Sequence, residues 1–137
     1  MQVEFLQLHD DGTVDARLEP GWQIFNDALA DAVSSLPPRG SKEQRLSTYW
    51  IDSALDRLSR LQGAHEDGMI ASGNAYSILL SGDRVTAAFD YGDEDTFEAM
   101  PIEDFVDLLE RWRQRVIDVQ RYETREVPET YRRNPWP

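Results

Sequence analysis

Three consecutive strand-like segments, joined by two tight turns, constrain the fold of this chain more than any other feature. The segments span residues 75–80, 84–91 and 96–100, and the turns are Ser81-Gly82-Asp83 and Gly92-Asp93-Glu94-Asp95. The first segment is apolar at nearly every position, which indicates a central strand. In the second, apolar residues alternate with others, which is typical of a strand with one buried face. The compact arrangement of such segments is an antiparallel sheet, and one face of it can be solvated and free for a partner.

The rest of the chain supplies a hairpin and three helices. Residues 3–8 and 13–18 read as strands around an Asp-Gly turn at 9–12. Apolar residues at helical spacing predict helices at about 21–35, 42–62 and 101–122. Ser41 with Gln44 resembles a capping box for the second helix, and Gly63 is its expected end. The predicted fold is therefore α+β, an antiparallel sheet of about five strands with three helices on one face, in the order ββ-α-α-β-β-β-α.

Length and composition suit one domain with a substantial core. The chain has 137 residues, 40% of them hydrophobic. We expect a single domain at 1–125, followed by an extended tail at 126–137 that contains Pro128, Pro135 and Pro137. The chain has no cysteine, which excludes disulfides and thiolate chemistry. Its first residues lack the pattern of a signal peptide, so a cytoplasmic location is expected.

The charge of the chain is strongly negative and unevenly distributed. The net charge is −12, with 7 basic and 22 acidic side chains in residues 1–110 but 7 basic and 4 acidic in residues 111–137. Between Arg84 and Arg111 there are nine acidic residues and no basic one. This balance argues against binding to nucleic acid or to an anionic membrane, and it favours steered association with a basic protein.

Motifs for catalysis or for a cofactor are weak. His9 and His65 lie in separate polar turns, and a metal site made of His65, Glu66 and Asp67 would need three adjacent side chains to converge. The acidic turn at 93–95 lacks the spacing of a calcium-binding loop. No phosphate-binding glycine pattern is present. We therefore expect no cofactor, no metal and no enzymatic activity.

One segment carries a family resemblance. Gly73-Asn74 precedes the apolar strand and the hairpin, and Pro101-Ile102-Glu103-Asp104-Phe105 then leads through Leu108-Leu109 to Trp112. This order, over residues 73–115, resembles bacterial immunity proteins that protect cells from contact-dependent-inhibition and other polymorphic toxins. The resemblance implies a small cytoplasmic protein without a catalytic site. Its function would be to bind and neutralise a cognate toxin, with a basic nuclease favoured, by covering the active or substrate-binding site with an acidic surface.

The toxin-facing residues of such families do not transfer by motif, so the candidate site rests on the acidic turn. Tyr91 is the expected aromatic anchor. Glu66 and Asp67, in the acidic loop after the second helix, join the candidate site on the condition that this loop lies on the same surface. The candidate partner-binding residues are Asp90, Tyr91, Asp93, Glu94, Asp95, Glu98, Glu66 and Asp67. The protein is expected to be a monomer or a weak homodimer.

Two other functions stay open. The tail holds Tyr131, Arg132, Arg133 and Trp136 among prolines, so the chain could be a non-catalytic adaptor or assembly subunit that recruits a partner through this segment. A small enzyme would require a carboxyl group with a strongly raised pKa in a pocket.

Overall fold

The computed structural model of the protein describes residues 2–7, 12–41 and 46–124. Within these ranges the chain is α+β, as predicted, in the order ββ-α-α-ββββ-α. The turn at 9–11, the capping-box residues 42–44 and the tail at 126–137 lie outside the described residues. The strands are β1 (Val3–Gln7), β2 (Val14–Leu18), β3 (Gly68–Ser72), β4 (Tyr76–Ser81), β5 (Arg84–Phe89) and β6 (Phe97–Pro101). The helices are α1 (Gln23–Ala32), α2 (Tyr49–Ala64) and α3 (Ile102–Thr124).

The last four strands form one antiparallel sheet in the order β3-β4-β5-β6. Strand β4 is internal, as its apolar sequence predicted. Its inward residues Ile78 and Leu80 pair with Ala87 and Val85 of β5, and all four are buried in the core. Strand β3 adds one strand to the predicted count: Gly68–Ser72, for which the sequence predicted no element, pairs with β4 through an irregular register between Met69 and Ala71.

The N-terminal hairpin forms a separate two-stranded sheet instead of extending the larger one. Its apolar face, made of Val14, Ala16 and Leu18, is buried. The indole N–H of Trp112 in α3 donates a hydrogen bond to the Val14 carbonyl oxygen at 2.7 Å. Helices α1 and α3 contact both sheets, so they lie between the hairpin and the four-stranded sheet. The expected sheet of about five strands is thus two sheets of two and four strands.

Helix α2 begins later than predicted. Residues Leu46 and Ser47 are buried outside the helix, where the Ser47 N–H donates to the Ser35 carbonyl oxygen at 2.8 Å. The Leu46 carbonyl oxygen accepts a hydrogen bond from the Gln120 side chain at 2.9 Å. These contacts hold the segment against the core, and the first helical residue is Tyr49. The helix continues through Gly63 to Ala64, and the C-cap residue His65 has left-handed backbone angles.

The helices supply most of the aromatic core. Phe25 of α1 is fully buried and lies 6.4 Å from the ring of Phe105 in α3, measured between ring centroids. Trp112, on the apolar stripe of α3, is also buried. Trp50 follows the same kind of stripe in α2, yet it is 39% exposed, beside the exposed ring of Tyr49. Among the described residues, no helix is long and apolar enough to cross a bilayer.

Candidate partner-binding surface

The acidic turn between β5 and β6 is held by its own backbone. The Thr96 N–H donates to the Asp93 carbonyl oxygen at 2.9 Å, and the Gly92 N–H donates to the Phe89 carbonyl oxygen at 3.1 Å. A Cβ atom on Gly92 would lie 2.8 Å from Cβ of Thr96, so the turn is too tight there for a side chain. The turn therefore projects its acidic side chains from a fixed backbone.

Three of the predicted site residues have exposed carboxylates that bind nothing in the described chain. Asp93, Glu94 and Asp95 are exposed, and none of them forms an ion pair or side-chain hydrogen bond with another described residue. Tyr91 is 77% exposed, and its ring packs edge-on against Phe89 with centroids 5.8 Å apart. The turn thus brings one exposed aromatic ring and three carboxylates together at one end of the four-stranded sheet.

Two other predicted site residues make structural contacts. One Glu98 carboxylate oxygen accepts a hydrogen bond from the backbone N–H of Phe25 at 2.9 Å. Phe25 lies in the first turn of α1, where N–H groups have no partner within the helix, so Glu98 acts as a cap supplied by the sheet. Asp90 accepts a hydrogen bond from the Ser77 hydroxyl at 2.7 Å. Asp90 remains exposed, whereas Glu98 is half-buried and faces α1.

The structure does not bring Glu66 and Asp67 to the acidic turn. They precede β3, whose first residue Gly68 pairs with Leu80 near the end of β4. Asp67 accepts a hydrogen bond from the Gly82 N–H at 2.9 Å, in the turn after β4. Tyr76, at the other end of β4, pairs with Phe89 just before the acidic turn. The two acidic groups are therefore separated by the length of β4, roughly 17–20 Å.

Asp31 of α1 is a structural carboxylate that the sequence did not reveal. Its two carboxylate oxygens accept hydrogen bonds from the N–H groups of Asn74, Ala75 and Tyr76 at 3.0, 2.8 and 2.9 Å. Burial acts to raise the pKa of Asp31, but these three hydrogen bonds outweigh it and hold the pKa below its usual value. The only sequence signal was the Gly73-Asn74 turn, and nothing in the sequence pairs that turn with position 31.

A second carboxylate of α1 binds the same strand. The Tyr76 hydroxyl donates a hydrogen bond to Asp27 at 3.1 Å. Burial raises the pKa of the Tyr76 phenol, because it disfavours the charged phenolate. The hydrogen bond to Asp27 raises this pKa further, because it favours the neutral phenol beside a negative carboxylate. Asp27 and Asp31 therefore attach α1 to the start of β4, on the end of the sheet that bears the acidic turn.

A groove with a volume of about 1240 Å³ lies between the hairpin and α1. Asn26 and Asp27, which line it, already accept hydrogen bonds from the Leu18 N–H and from the Tyr76 hydroxyl. Among the described residues, no group of three or more His, Asp or Glu side chains is placed to hold a metal ion. The groove lining carries both signs of charge, with Glu4, Asp15, Glu19 and Asp27 beside Arg17 and Arg111, whereas the acidic turn carries carboxylates alone.

A comparison of the chain with protein-family models, with curated proteins and with solved structures finds no match.

Proposed function

We propose that this chain is an immunity protein, which binds a cognate toxin and neutralises it by covering its active or substrate-binding site. A basic nuclease is the favoured toxin, because carboxylates can occupy the positions where its phosphates would bind. The observation that carries the proposal is the turn of Asp93, Glu94 and Asp95. These carboxylates are exposed on a fixed backbone and have no cation beside them in the described chain.

Electrostatics and packing have separate roles in this proposal. Complementary charge raises the rate of association above the ~10⁵–10⁶ M⁻¹s⁻¹ typical of neutral pairs. A long-lived complex also needs desolvated anchors, usually aromatic or arginine side chains near the centre of the interface. Tyr91 suits this role, because its exposed ring is braced by Phe89 beside the carboxylates. Glu98 contributes by holding α1 against the sheet and not by direct contact.

Co-expression with the toxin encoded by the neighbouring gene tests the proposal. The wild-type chain should restore growth, and a triple variant, Asp93→Lys, Glu94→Lys and Asp95→Lys, should lose protection. The matched control reverses three exposed acids elsewhere, Asp56, Asp83 and Glu110, and should still protect despite its equal net charge. Failure of the wild-type chain to protect or to form a complex would contradict the proposal.

The adaptor hypothesis makes the opposite prediction for the tail. Deletion of residues 126–137 should leave binding intact if the acidic turn is the interface. Loss of all binding on this truncation, with binding retained in the triple variant, would favour an adaptor that recruits its partner through the tail.

A further inference from the structure

The four-stranded sheet has one face that none of the helices covers. Side chains that alternate with the buried core residues point to this open face, and they include Met69, Leu79, Thr86, Ala88, Phe97 and Ala99. None of these six belongs to the core, and Met69 and Phe97 are 40% and 50% exposed. The hairpin makes its main contacts with α1 and α3 instead. Ser77, also on this face, is buried beside Asp90, so the exposed positions lie at the edges and the far end of the face.

The composition of the open face differs from that of the exposed side of α3. Of its eleven outward positions, six are apolar, four are Ser or Thr, and Arg84 alone is charged. On the exposed side of α3, by contrast, eight of nine positions up to residue 121 are charged. A solvated face of an antiparallel sheet ordinarily carries polar side chains. A face with so few charges and with two exposed large apolar side chains, Met69 and Phe97, is a candidate contact surface in such a charged chain.

The exposed large apolar side chains of the open face lie on its two edge strands. Met69 lies on β3 and Phe97 on β6, which are the two edge strands. Between them, the row across the two central strands carries Leu79 and Thr86, and the next row carries Ser77 and Ala88. Leu79 is thus the one large side chain of these two rows on a central strand, and Met69 and Phe97 lie diagonally across from each other on the edge strands. Four strands at the usual spacing give a width of about 14 Å.

Charge identifies the partner that suits this face. At one end the face adjoins the acidic turn. There Asp90 accepts a hydrogen bond from Ser77, and residues 93–95 precede Phe97 in the sequence. A second copy of this chain has the same net charge of −12 and would bring further acids to this end. The face alone covers roughly 240 Å² in projection, well below the ~800 Å² per side of a standard interface. A basic protein that covers both the face and the turn fits better.

We propose that the open face, from Met69 across to Phe97, is the apolar half of the partner interface. Its occupant is an apolar patch on the basic toxin, flanked by Arg or Lys side chains that reach the acidic turn. This inference rests on the proposed function and adds to it a division of roles. The apolar face determines how long the complex lasts, and the carboxylates determine how fast it forms.

Binding kinetics with the purified product of the neighbouring toxin gene test this division. Thr86→Arg places a long side chain in the middle of the face, and Phe97→Ser removes an edge anchor. Both positions are outside the core, and circular dichroism should show that the variants fold. Each should raise the dissociation rate about tenfold or more while the association rate stays within about twofold. Gln62→Arg, on the exposed side of α2, is the matched control and should change neither rate.

The possible results separate the two proposals. If wild-type chain does not bind the toxin, both the proposed function and this inference fail. If it binds, and the dissociation rates of Thr86→Arg and Phe97→Ser equal that of wild type, only the inference fails. Sedimentation of the chain alone tests the other occupant, because a dimer that Thr86→Arg dissociates would show that the open face binds a second copy and would overturn the inference.

Discussion

Asp31 is the side chain through which helix α1 is joined to the start of strand β4. Its carboxylate accepts hydrogen bonds from three consecutive backbone N–H groups, those of Asn74, Ala75 and Tyr76. Without Asp31, these N–H groups at the end of the sheet would depend on water as their acceptor. Hydrogen bonds to a charged acceptor are stronger than those between neutral groups. This one residue therefore couples two elements that are more than forty positions apart in the sequence.

We expect Asp31→Asn to lower the free energy of unfolding by about 1–2 kcal/mol at pH 7, since an amide offers one acceptor oxygen to three donors. The native pKa of Asp31 lies below its usual value of 3.8. The stabilisation is therefore complete above that value and declines as the pH falls through the native pKa. Urea unfolding between pH 7 and pH 2.5 should show the wild-type advantage shrinking only at the acidic end. An advantage that is constant with pH would contradict this account, and Asp56→Asn, on the exposed side of α2, is the control.

Gly73 makes the same junction possible by its lack of a side chain. A Cβ atom there would overlap the carboxyl group and the backbone oxygen of Asp31. We expect Gly73→Ala to destabilise the protein by about 1–3 kcal/mol, because the backbone oxygen cannot move aside. Gly63→Ala is the matched control: it lies inside α2 with nothing near its Cβ position, so it should stabilise by about 0.5–1 kcal/mol. Thermal unfolding of both variants is the measurement. Equal changes in melting temperature for Gly73→Ala and Gly63→Ala would contradict the predicted clash with Asp31.

Glu98 shows why the sequence could not define the candidate site residue by residue. It lies in the same acidic window as Glu94, yet it caps α1 while Glu94 is exposed. Acidic composition predicts that a segment is charged, but it does not say which carboxylates have a backbone donor from a distant element.

We expect Glu98→Ala to lower stability by about 1–2 kcal/mol, because it leaves the Phe25 N–H without its acceptor. Glu94→Ala should leave stability within about 0.5 kcal/mol of wild type. Urea unfolding of the two variants provides the measurement. A Glu98→Ala variant as stable as Glu94→Ala would show that the cap contributes nothing.

At the scale of elements, the sequence predicted strands better than helix ends. Strands β4, β5 and β6 and the start of α3 lie close to their predicted positions, because alternation and tight turns are local signals. The start of α2 was wrong by seven residues, 42 against Tyr49. Contacts of Leu46 and Ser47 with Ser35 and Gln120 hold that segment outside the helix, and such contacts are invisible to a local pattern.

The end of α2 offers a test of backbone strain. His65 adopts φ 54° and ψ 42°, and its N–H donates to the Gln62 carbonyl oxygen. A left-handed conformation costs a residue with a side chain about 1–2 kcal/mol, part of which glycine recovers. We therefore expect His65→Gly to increase the free energy of unfolding by about 0.5–1 kcal/mol and so to raise the melting temperature. Gln62→Gly, within the helix, should lower it. A destabilised His65→Gly would indicate that the imidazole makes a contact worth more than the strain.

At the scale of the whole molecule, the fold class was predictable but the arrangement of layers was not. Antiparallel pairing and an α+β order follow from the sequence. That the hairpin packs across α1 and α3, away from the larger sheet, depends on Trp112 meeting Val14 and on the burial of one hairpin face. This placement leaves the second face of the four-stranded sheet open. The sequence predicted that one face of the sheet could be free for a partner, but it did not show that the hairpin would pack elsewhere and leave that face uncovered.

The uneven charge of the molecule leads to a prediction about the kinetics of binding. If carboxylates of the acidic turn steer a basic toxin, the association rate should fall steeply between 50 and 500 mM NaCl, because salt shortens the range of charge interactions from ~14 to ~4 Å. The dissociation rate should change little, because salt does not screen the apolar contacts of the open face. The triple variant of Asp93, Glu94 and Asp95 to Lys should show a slow association that no longer falls with salt, while the control variant of Asp56, Asp83 and Glu110 should keep most of the wild-type slope. Equal loss of slope in both variants would mean that the net charge of −12 steers the encounter and that the acidic turn has no special part in it.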